Sequence, residues 1–395
     1  MAHLPLIRST SNQTKLNRGP LGRGFSLPRR SGRHGAGGFL CDRLLVVILN
    51  YMVLPSVVLA VASSAVLGQE AGPLVCWGSN PYGVLDAPDG LFTAVAAGKE
   101  HALAIGLDGS VVCWGNNNQG QCNAPSGSFV EIAGGGAHSL ARRSDGTIAC
   151  WGENTNGQCN PPNVTFVQIA AGRWHSLGLR GNGVVLCWGN NSYGQCDAPS
   201  GPFVEVAAGA YHSLGLRPDG SVACWGISSP DGLQCANVPD EAFFELACGE
   251  NHSVAKTANG ELMCWGWDSH DQLVPPGGSF SSITSGWWHS IGLRSNGELV
   301  QWGWSGPGGS LEDPPAGRYL AVAAGHYHSV GIVDTSEPCA EDLNDDQSVD
   351  FADLIVVLNG WGPCGTPCDE DLNQDGSVGF QDLSQILSAW GTCTD

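Results

Sequence analysis

Two twelve-residue stretches near the end of the chain, starting at Asp342 and Asp371, put oxygen-bearing side chains at positions 1, 3, 5 and 12. The first set is Asp342, Asn344, Asp346 and Asp353, and the second is Asp371, Asn373, Asp375 and Asp382. Calcium is a hard ion that takes six to eight oxygens, and alternating acidic residues on a tight loop supply them. The backbone carbonyls of Ser348 and Ser377, at position 7, are expected to join each set. The chemistry these residues predict is therefore the binding of two calcium ions.

The two stretches belong to a duplication. Cys339–Asp353 aligns with Cys368–Asp382 at an offset of 29 residues, and a solvated acidic tail would not repeat its spacing in this way. An amphipathic helix is expected after each loop, carrying Leu354, Ile355, Leu358 and Trp361 in one copy and Leu383, Ile386, Leu387 and Trp390 in the other. Cys339/Cys364 and Cys368/Cys393 are each 25 apart, which suggests one disulfide per half. From Cys339 onward there are 12 Asp/Glu and no Lys/Arg. The pattern resembles a dockerin, two loop-helix halves with Asp rather than Glu at position 12. The resemblance implies a small helical, calcium-dependent module over 336–395 and a cohesin-like partner on an extracellular scaffold, often in polysaccharide-degrading assemblies. Gln347 departs from it by replacing the position-6 glycine, and Gly379 by removing the position-9 oxygen.

Other candidates for chemistry are fewer. The chain has no nucleophile elbow, no zinc-binding His-Glu-x-x-His, no phosphate-cradling Gly loop and no dinucleotide fingerprint. Seven histidines recur at His101, His138, His175, His212, His252, His289 and His328, in step with a Trp-Gly pair. A residue type that returns once per structural unit is most simply a buried hydrogen-bonding residue, and a metal ring is the less economical reading.

The unit that positions them is 37 residues long. Trp77, Trp114, Trp151, Trp188, Trp225, Trp265 and Trp302 follow one another at steps of 37, except for one step of 40. A fixed period of this size means stacked supersecondary units. Within each unit Asp-Gly or Asn-Gly separates apolar runs, as at Asp108-Gly109 and Asp145-Gly146, which predicts a hairpin with a type I′ turn. Four short strands with short loops account for the period. The array opens with an orphan Leu74–Gly78 strand and ends at His328–Val333 without its own Trp-Gly strand. The orphan strand can complete the last unit and close a ring, which removes exposed sheet edges. The expected fold is all-β, a seven-bladed β-propeller over 69–335, closed by its N-terminal strand and followed by the small helical module.

Trp-Gly-x-Asn-x-x-Gly-Gln together with Ala-Ala-Gly-x-x-His-Ser-Leu resembles the regulator-of-chromosome-condensation repeat family. The short period is most similar to bacterial propellers of the type II β-lactamase inhibitory protein kind. The family implies the propeller fold; its functions range from nucleotide exchange to enzyme inhibition. In the inhibitor-like propellers, binding uses aromatic residues on one face of the ring.

Three repeats hold cysteines nine apart, Cys113/Cys122, Cys150/Cys159 and Cys187/Cys196, and a fourth pair, Cys224/Cys235, is stretched by two residues. The last repeat loses both at once, to Gln301 and Leu311, as disulfide partners should. Two thiolates per blade with no second pair nearby make a poor zinc site. Disulfides imply an oxidising compartment. Cys76, Cys248 and Cys264 are left unpaired.

Export agrees with residues 1–68, a basic n-region followed by the apolar stretch 44–67, read as a secretory signal or, alternatively, one membrane anchor. The expected location is secreted or at the surface of a bacterium. Beyond residue 68 there are 9 Lys/Arg against 36 Asp/Glu, a net −27, which argues against nucleic acid as a partner.

The dipeptide inside Ala-Gly-x-x-His-Ser varies where the rest of the repeat does not. It is Gly136-Ala137 in one copy and carries Arg173, Trp174, Tyr211, Trp287, Trp288, His326 and Tyr327 in others. Aromatics and Arg at a position that tolerates Gly-Ala predict a binding face for an unidentified protein or glycan. Two function classes follow. The first is a secreted, non-catalytic binding propeller assembled through its calcium module. The second is a glycan-active hydrolase or accessory protein of a polysaccharide-degrading assembly. An O-glycosyl hydrolase needs two carboxylates about 5–10 Å apart. The repeats offer no obvious non-repeated pair, so the reading leans away from an enzyme.

Overall fold

The computed structural model describes residues 70–226, 234–304, 312–336, 342–343, 348–363, 368, 370–374 and 377–392. The n-region and the apolar stretch 44–67 lie outside the described residues. Among the described residues no helix is long and apolar enough to cross a membrane.

Seven antiparallel sheets make the blades. Blade 1 is Phe92–Ala97, His101–Gly106 and Val111–Gly115; blade 2 is Glu131–Gly134, His138–Arg142 and Ile148–Gly152. Blade 3 is Gln168–Ala171, His175–Leu179 and Val185–Gly189; blade 4 is Glu205–Ala208, His212–Leu216 and Val222–Gly226. Blade 5 is Phe243–Cys248, His252–Thr257 and Leu262–Gly266; blade 6 is Ser282–Ser285, His289–Leu293 and Leu299–Gly303. Blade 7 is Arg318–Ala324 and His328–Asp334, completed by Leu74–Gly78, which runs antiparallel to His328–Ile332. Each first strand touches the first strand of the next blade, and blade 7 touches blade 1, so the first strands surround a central shaft and the ring is closed.

The expectation of four strands per blade is corrected to three. The fourth segment, 116–128 in blade 1, spends its polar groups locally. Asn117 Oδ1 accepts the Cys122 N–H at 2.9 Å, and Gln121 Oε1 accepts the Gln119 N–H at 2.9 Å. Pro125 has no N–H to give a ladder. The Gln121 carbonyl is taken by the next blade, receiving Trp151 Nε1–H at 2.7 Å and Ser139 Oγ–H at 2.9 Å.

The turn type is corrected as well. Gly109 lies at φ 77°, but Asp108 does not share a positive φ. The Gly109 N–H donates to Gly106 O and the Gly106 N–H donates to Ser110 O, which is a type I turn closed by one left-handed glycine. The aspartate serves the turn by accepting the Ser110 N–H at 2.9 Å. Asn182 does the same for Val184, so Asp and Asn are interchangeable there.

The core lies between blades. Trp225 of blade 4 packs with Leu177, Leu179 and Val185 of blade 3 and with Phe203. The seven histidines are buried. His101 Nε2 stands 2.9 Å from Ser139 Oγ, and that hydroxyl hydrogen is committed to Gln121 O. The imidazole must therefore be the donor to the serine. The bond recurs from His138 to Ser176, His175 to Ser213, His212 to Ser253, His252 to Ser290 and His289 to Ser329. The glycine of Ala-Gly-x-x-His is explained by the same packing, because a Cβ on Gly98 would meet His101 Cε1 at 2.1 Å.

The ring lacks one such link. Blade 1 has Ala102 where the other blades have serine, and Nε2 of His328 has no hydrogen-bond partner. The Val84 carbonyl occupies the place of Gln121 and already receives Trp114 Nε1–H at 2.8 Å. A serine at 102 would find both an acceptor and a donor. Ala102→Ser is expected to stabilise the propeller by about 1 kcal/mol in denaturant unfolding. An unchanged or lowered midpoint would show that the apolar surroundings of Ala102 reject the hydroxyl.

Disulfides join Cys113–Cys122, Cys150–Cys159, Cys187–Cys196 and Cys224–Cys235, as the spacing predicts, and the structure adds that Cys76, Cys248 and Cys264, which the spacing leaves unassigned, are all free. Burial pushes the Cys76 thiol up to about 11 and the Cys264 thiol up to about 12, so neither is a ready nucleophile. Each bridge closes a short loop, worth roughly 2–3 kcal/mol in the chain-entropy model. Non-reducing peptide maps of the protein from its native source should recover all four, and free thiols at these positions would contradict both the bridges and an oxidising compartment.

The carboxy-terminal segment contains two helices, Phe351–Asn359 and Phe380–Ser388. Ser348–Val349 pairs with Gly391–Thr392, and Gly362–Pro363 pairs with Ser377–Val378, so each half supplies a strand to the other. The shared core of Val349, Val357, Val378 and Ile386 repeats the 29-residue offset. Leu354 and Leu383 pack against this core, whereas Ile355, Leu358, Trp361, Leu387 and Trp390 face outward. Cys368 is disulfide-bonded; Cys339, Cys364 and Cys393 lie outside the described residues.

Candidate functional site

The loops that join first to second strands all emerge at one end of the propeller, and they carry the variable dipeptide. All seven residues expected to form a face are in one connected network. Arg173 lies over Trp174 at 4.1 Å and over Trp287 at 4.6 Å. Trp174 meets Tyr211 at 5.2 Å, and Trp287 meets His326 at 4.5 Å. His326 stacks on Tyr327 at 3.6 Å and lies 6.5 Å from Trp288. Arg173 belongs to blade 3 and Trp287 to blade 6, so this contact bridges loops that are not ring neighbours.

The structure adds residues that the dipeptide does not contain. Trp267 and Trp304 lie 5.3 and 5.6 Å from Trp288, Trp304 lies 5.2 Å from Tyr327, and Tyr193 lies 5.0 Å from Tyr211. His270 meets both Trp267 and Trp304. The signal was present in the residue after Trp-Gly, which is Ser79, Asn116, Glu153, Asn190 and Ile227 in other copies but Trp267 and Trp304 in these two. Apart from Tyr193, which is exposed, the rings are half-buried against each other rather than free-standing.

Charges on this face are already paired. Arg173 Nη1 bonds Glu250 Oε1 at 2.7 Å, and Lys99 Nζ stands 3.3 Å from Glu100 Oε1. Burial raises the Glu250 carboxyl, with Arg173 opposing. Burial, reinforced by Lys99 and Arg173, depresses His326 to about 3, which keeps that ring neutral at physiological pH. Burial also raises the Tyr211 and Tyr327 hydroxyls. The result is an aromatic surface with a paired Arg173–Glu250 set among its rings, suited to burying area at low entropy cost.

The model for the Regulator of chromosome condensation (RCC1) repeat matches residues 92–121, 129–158, 166–195, 203–230 and 245–272. Five RCC1-type repeats are thus recognised along the ring. The propeller is similar to Prp20p from Saccharomyces cerevisiae at 18% identity and TM-score 0.58, covering 68% of this chain and 93% of that one. It is similar to human WBSCR16 at 21% identity and TM-score 0.55, over 63% and 89% of the two chains. The ectodomain of the Physcomitrella patens receptor kinase CR4 is 24% identical with TM-score 0.54, over 62% and 71%. These likenesses concern the fold. No curated protein matches significantly.

In the carboxy-terminal segment, Asp342, Asp353 and Asp382 are buried. Asp353 accepts the Leu343 and Asp350 N–H groups at 2.8 Å each, and Asp382 accepts those of Asn373 at 3.1 Å and Gly379 at 2.7 Å. Each position-12 carboxylate is thus folded back over its own loop. Asp371 and Asn373 are described, as are Ser348 and Ser377 in their short strands, whereas Asn344, Asp346, Gln347 and Asp375 lie outside the described residues. Among the described residues no three His, Cys, Asp or Glu side chains gather at metal-binding separation. Buried carboxylates in a segment with no Lys or Arg are nevertheless the donor chemistry that a hard cation requires.

Proposed function

We propose that this protein is an exported, non-catalytic binding propeller whose aromatic end engages a macromolecular partner. The observation that carries this reading is the continuous ring network from Tyr193 through Arg173 and Trp287 to Trp267, built at positions where other repeats hold Gly, Ala, Ser or Asn. Clustered Trp, Tyr and Arg are the usual anchors of interfaces. Prp20p, of the same fold, binds Gsp1p and histones. The test is capture from the secretome of the source organism by wild-type protein and by Trp304→Ser, which installs the residue of Ser79. A partner held equally by both would remove the proposed face.

We further propose that residues 336–395 form a dockerin-like module holding two calcium ions and attaching the propeller to a cohesin-like or other extracellular protein. Its outward residues support docking, since Phe351, Leu358 and Trp361 are exposed in one half and Phe380, Leu387 and Trp390 in the other, at the 29-residue offset. When bound, calcium would be held by Asp342, Asn344, Asp346 and Asp353, and by Asp371, Asn373, Asp375 and Asp382, and would screen the mutual repulsion of these carboxylates. Calorimetry on the full chain is expected to resolve two sites, with one lost in Asp353→Ala and the other in Asp382→Ala. No heat and no thermal stabilisation on adding calcium would refute the assignment.

A further inference from the structure

The other end of the shaft is built differently. A cavity of about 890 Å³ opens where the first strands begin and the second strands end, opposite the aromatic loops. Its apolar wall includes Val130, Val167, Val204 and Phe244. Its polar wall follows one repeat position, which is Glu131, Gln168, Glu205 and Glu245 in blades 2 to 5.

These four side chains share a structural task. Each accepts a backbone N–H of the next blade's first strand, from Ile169, Val206, Leu246 and Ile283, at 2.9 to 3.0 Å. Gln168 does this without a charge, so the clamp does not require carboxylates. Where the charge is present, the same blade answers it twice. Arg142 bonds Glu131 at 2.5 Å, and Lys256 bonds Glu245 at 2.6 Å. In blade 4 the answering position is Leu216. The remaining charges of the lining are engaged elsewhere: Arg217 over the Phe203 ring at 5.2 Å, and Asp219 with the Ser221 N–H at 2.9 Å.

We propose that this mouth binds a primary ammonium carried on an aliphatic stem, with Glu205 as its counter-ion and Val130, Val167, Val204 and Phe244 along the stem. The ligand supplies the cation that Arg142 and Lys256 supply in blades 2 and 5. The site is separate from the aromatic face and does not depend on the function proposed for it. In the free protein, burial pushes the Glu205 carboxyl up to about 8, with Glu245 adding to the shift and the Leu246 N–H and Lys256 opposing it. An arriving ammonium favours the carboxylate, so binding at pH 7 releases a proton to the buffer.

The experiment is calorimetry of the full chain with n-hexylamine at pH 7 in buffers of different ionisation enthalpy, with 1-hexanol as the uncharged control. Hexylammonium is expected to saturate the protein at least tenfold more tightly than hexanol, with a heat that depends on the buffer. Glu205→Gln keeps the clamp, as Gln168 does, so its melting temperature should hold while affinity falls tenfold or more and the buffer dependence vanishes. Leu216→Lys, which builds the missing partner, should block the site equally. Nα-acetyl-lysinamide separates the two sources of such an ammonium. Binding of it assigns the site to a peptide lysine, and binding of hexylamine alone assigns it to a free amine. Failure of both amines to saturate, equal binding of hexanol, undiminished binding by Glu205→Gln, or its unfolding would each overturn the proposal.

Discussion

The propeller is expected to unfold in mild acid, losing about 10 kcal/mol between neutrality and pH 5.5. The cause is the buried histidine ring. Burial depresses His101, His175, His252 and His328 to about 3, and His138, His212 and His289 to about 4, against 6.5 when unfolded. A group held neutral in the fold makes the unfolded chain the better proton binder, so stability rises with pH and falls below 6.5. At pH 5.5 each histidine costs about 1.4 kcal/mol, and seven together rival the whole stability of a typical domain. Glu205 acts in the opposite sense: its raised pKa returns some stability as pH falls from about 8 toward 4.5. Denaturant titrations at pH 7, 6.5, 6 and 5.5 would measure the slope, which should approach the uptake of seven protons on unfolding. A flat profile over this range would mean that the histidines take up protons as readily in the fold as in the unfolded chain, so that burial does not hold them neutral.

Trp151→Ala and Trp288→Ala are expected to part company. Trp151 is 8% exposed, lies in a cluster with Leu103, Phe129 and Ala141, and donates its indole N–H to Gln121 O. Its truncation leaves a cavity between blades and should lower stability by roughly 3–5 kcal/mol. Trp288 occupies the place of Ala137, and its neighbours are the other rings of the face. Losing it should cost about 2 kcal/mol or more in partner binding. Its stability cost should be well below that of Trp151→Ala, although it exceeds zero because the rings lean on one another. Equal destabilisation by the two would show that the aromatic end is core and not an interface.

The blade count, the closing strand and the four hairpin disulfides were legible in the sequence, because each follows from a spacing. A Trp-Gly every 37 residues, an orphan Leu74–Gly78 and cysteines nine apart are local facts repeated along the chain, and repetition leaves few ways to assemble them. The membership of the aromatic face was half legible. Its dipeptide stands out against Gly136-Ala137, but Trp267 and Trp304 come from a different loop, which only the fold brings beside Trp288 and Tyr327.

The tertiary structure alone decided what the fourth segment of each repeat does. Its carbonyl at Gln121 looks free for a ladder until the next blade brings Trp151 and Ser139 to it. It also decided which loops meet across the ring, as Arg173 of blade 3 does with Trp287 of blade 6, and which acid at the other mouth lacks a cation. Those outcomes depend on the radius and closure of the whole ring. They are a sum over seven blades that no single repeat contains, whereas the turn, the hairpin and the disulfide are each complete within one.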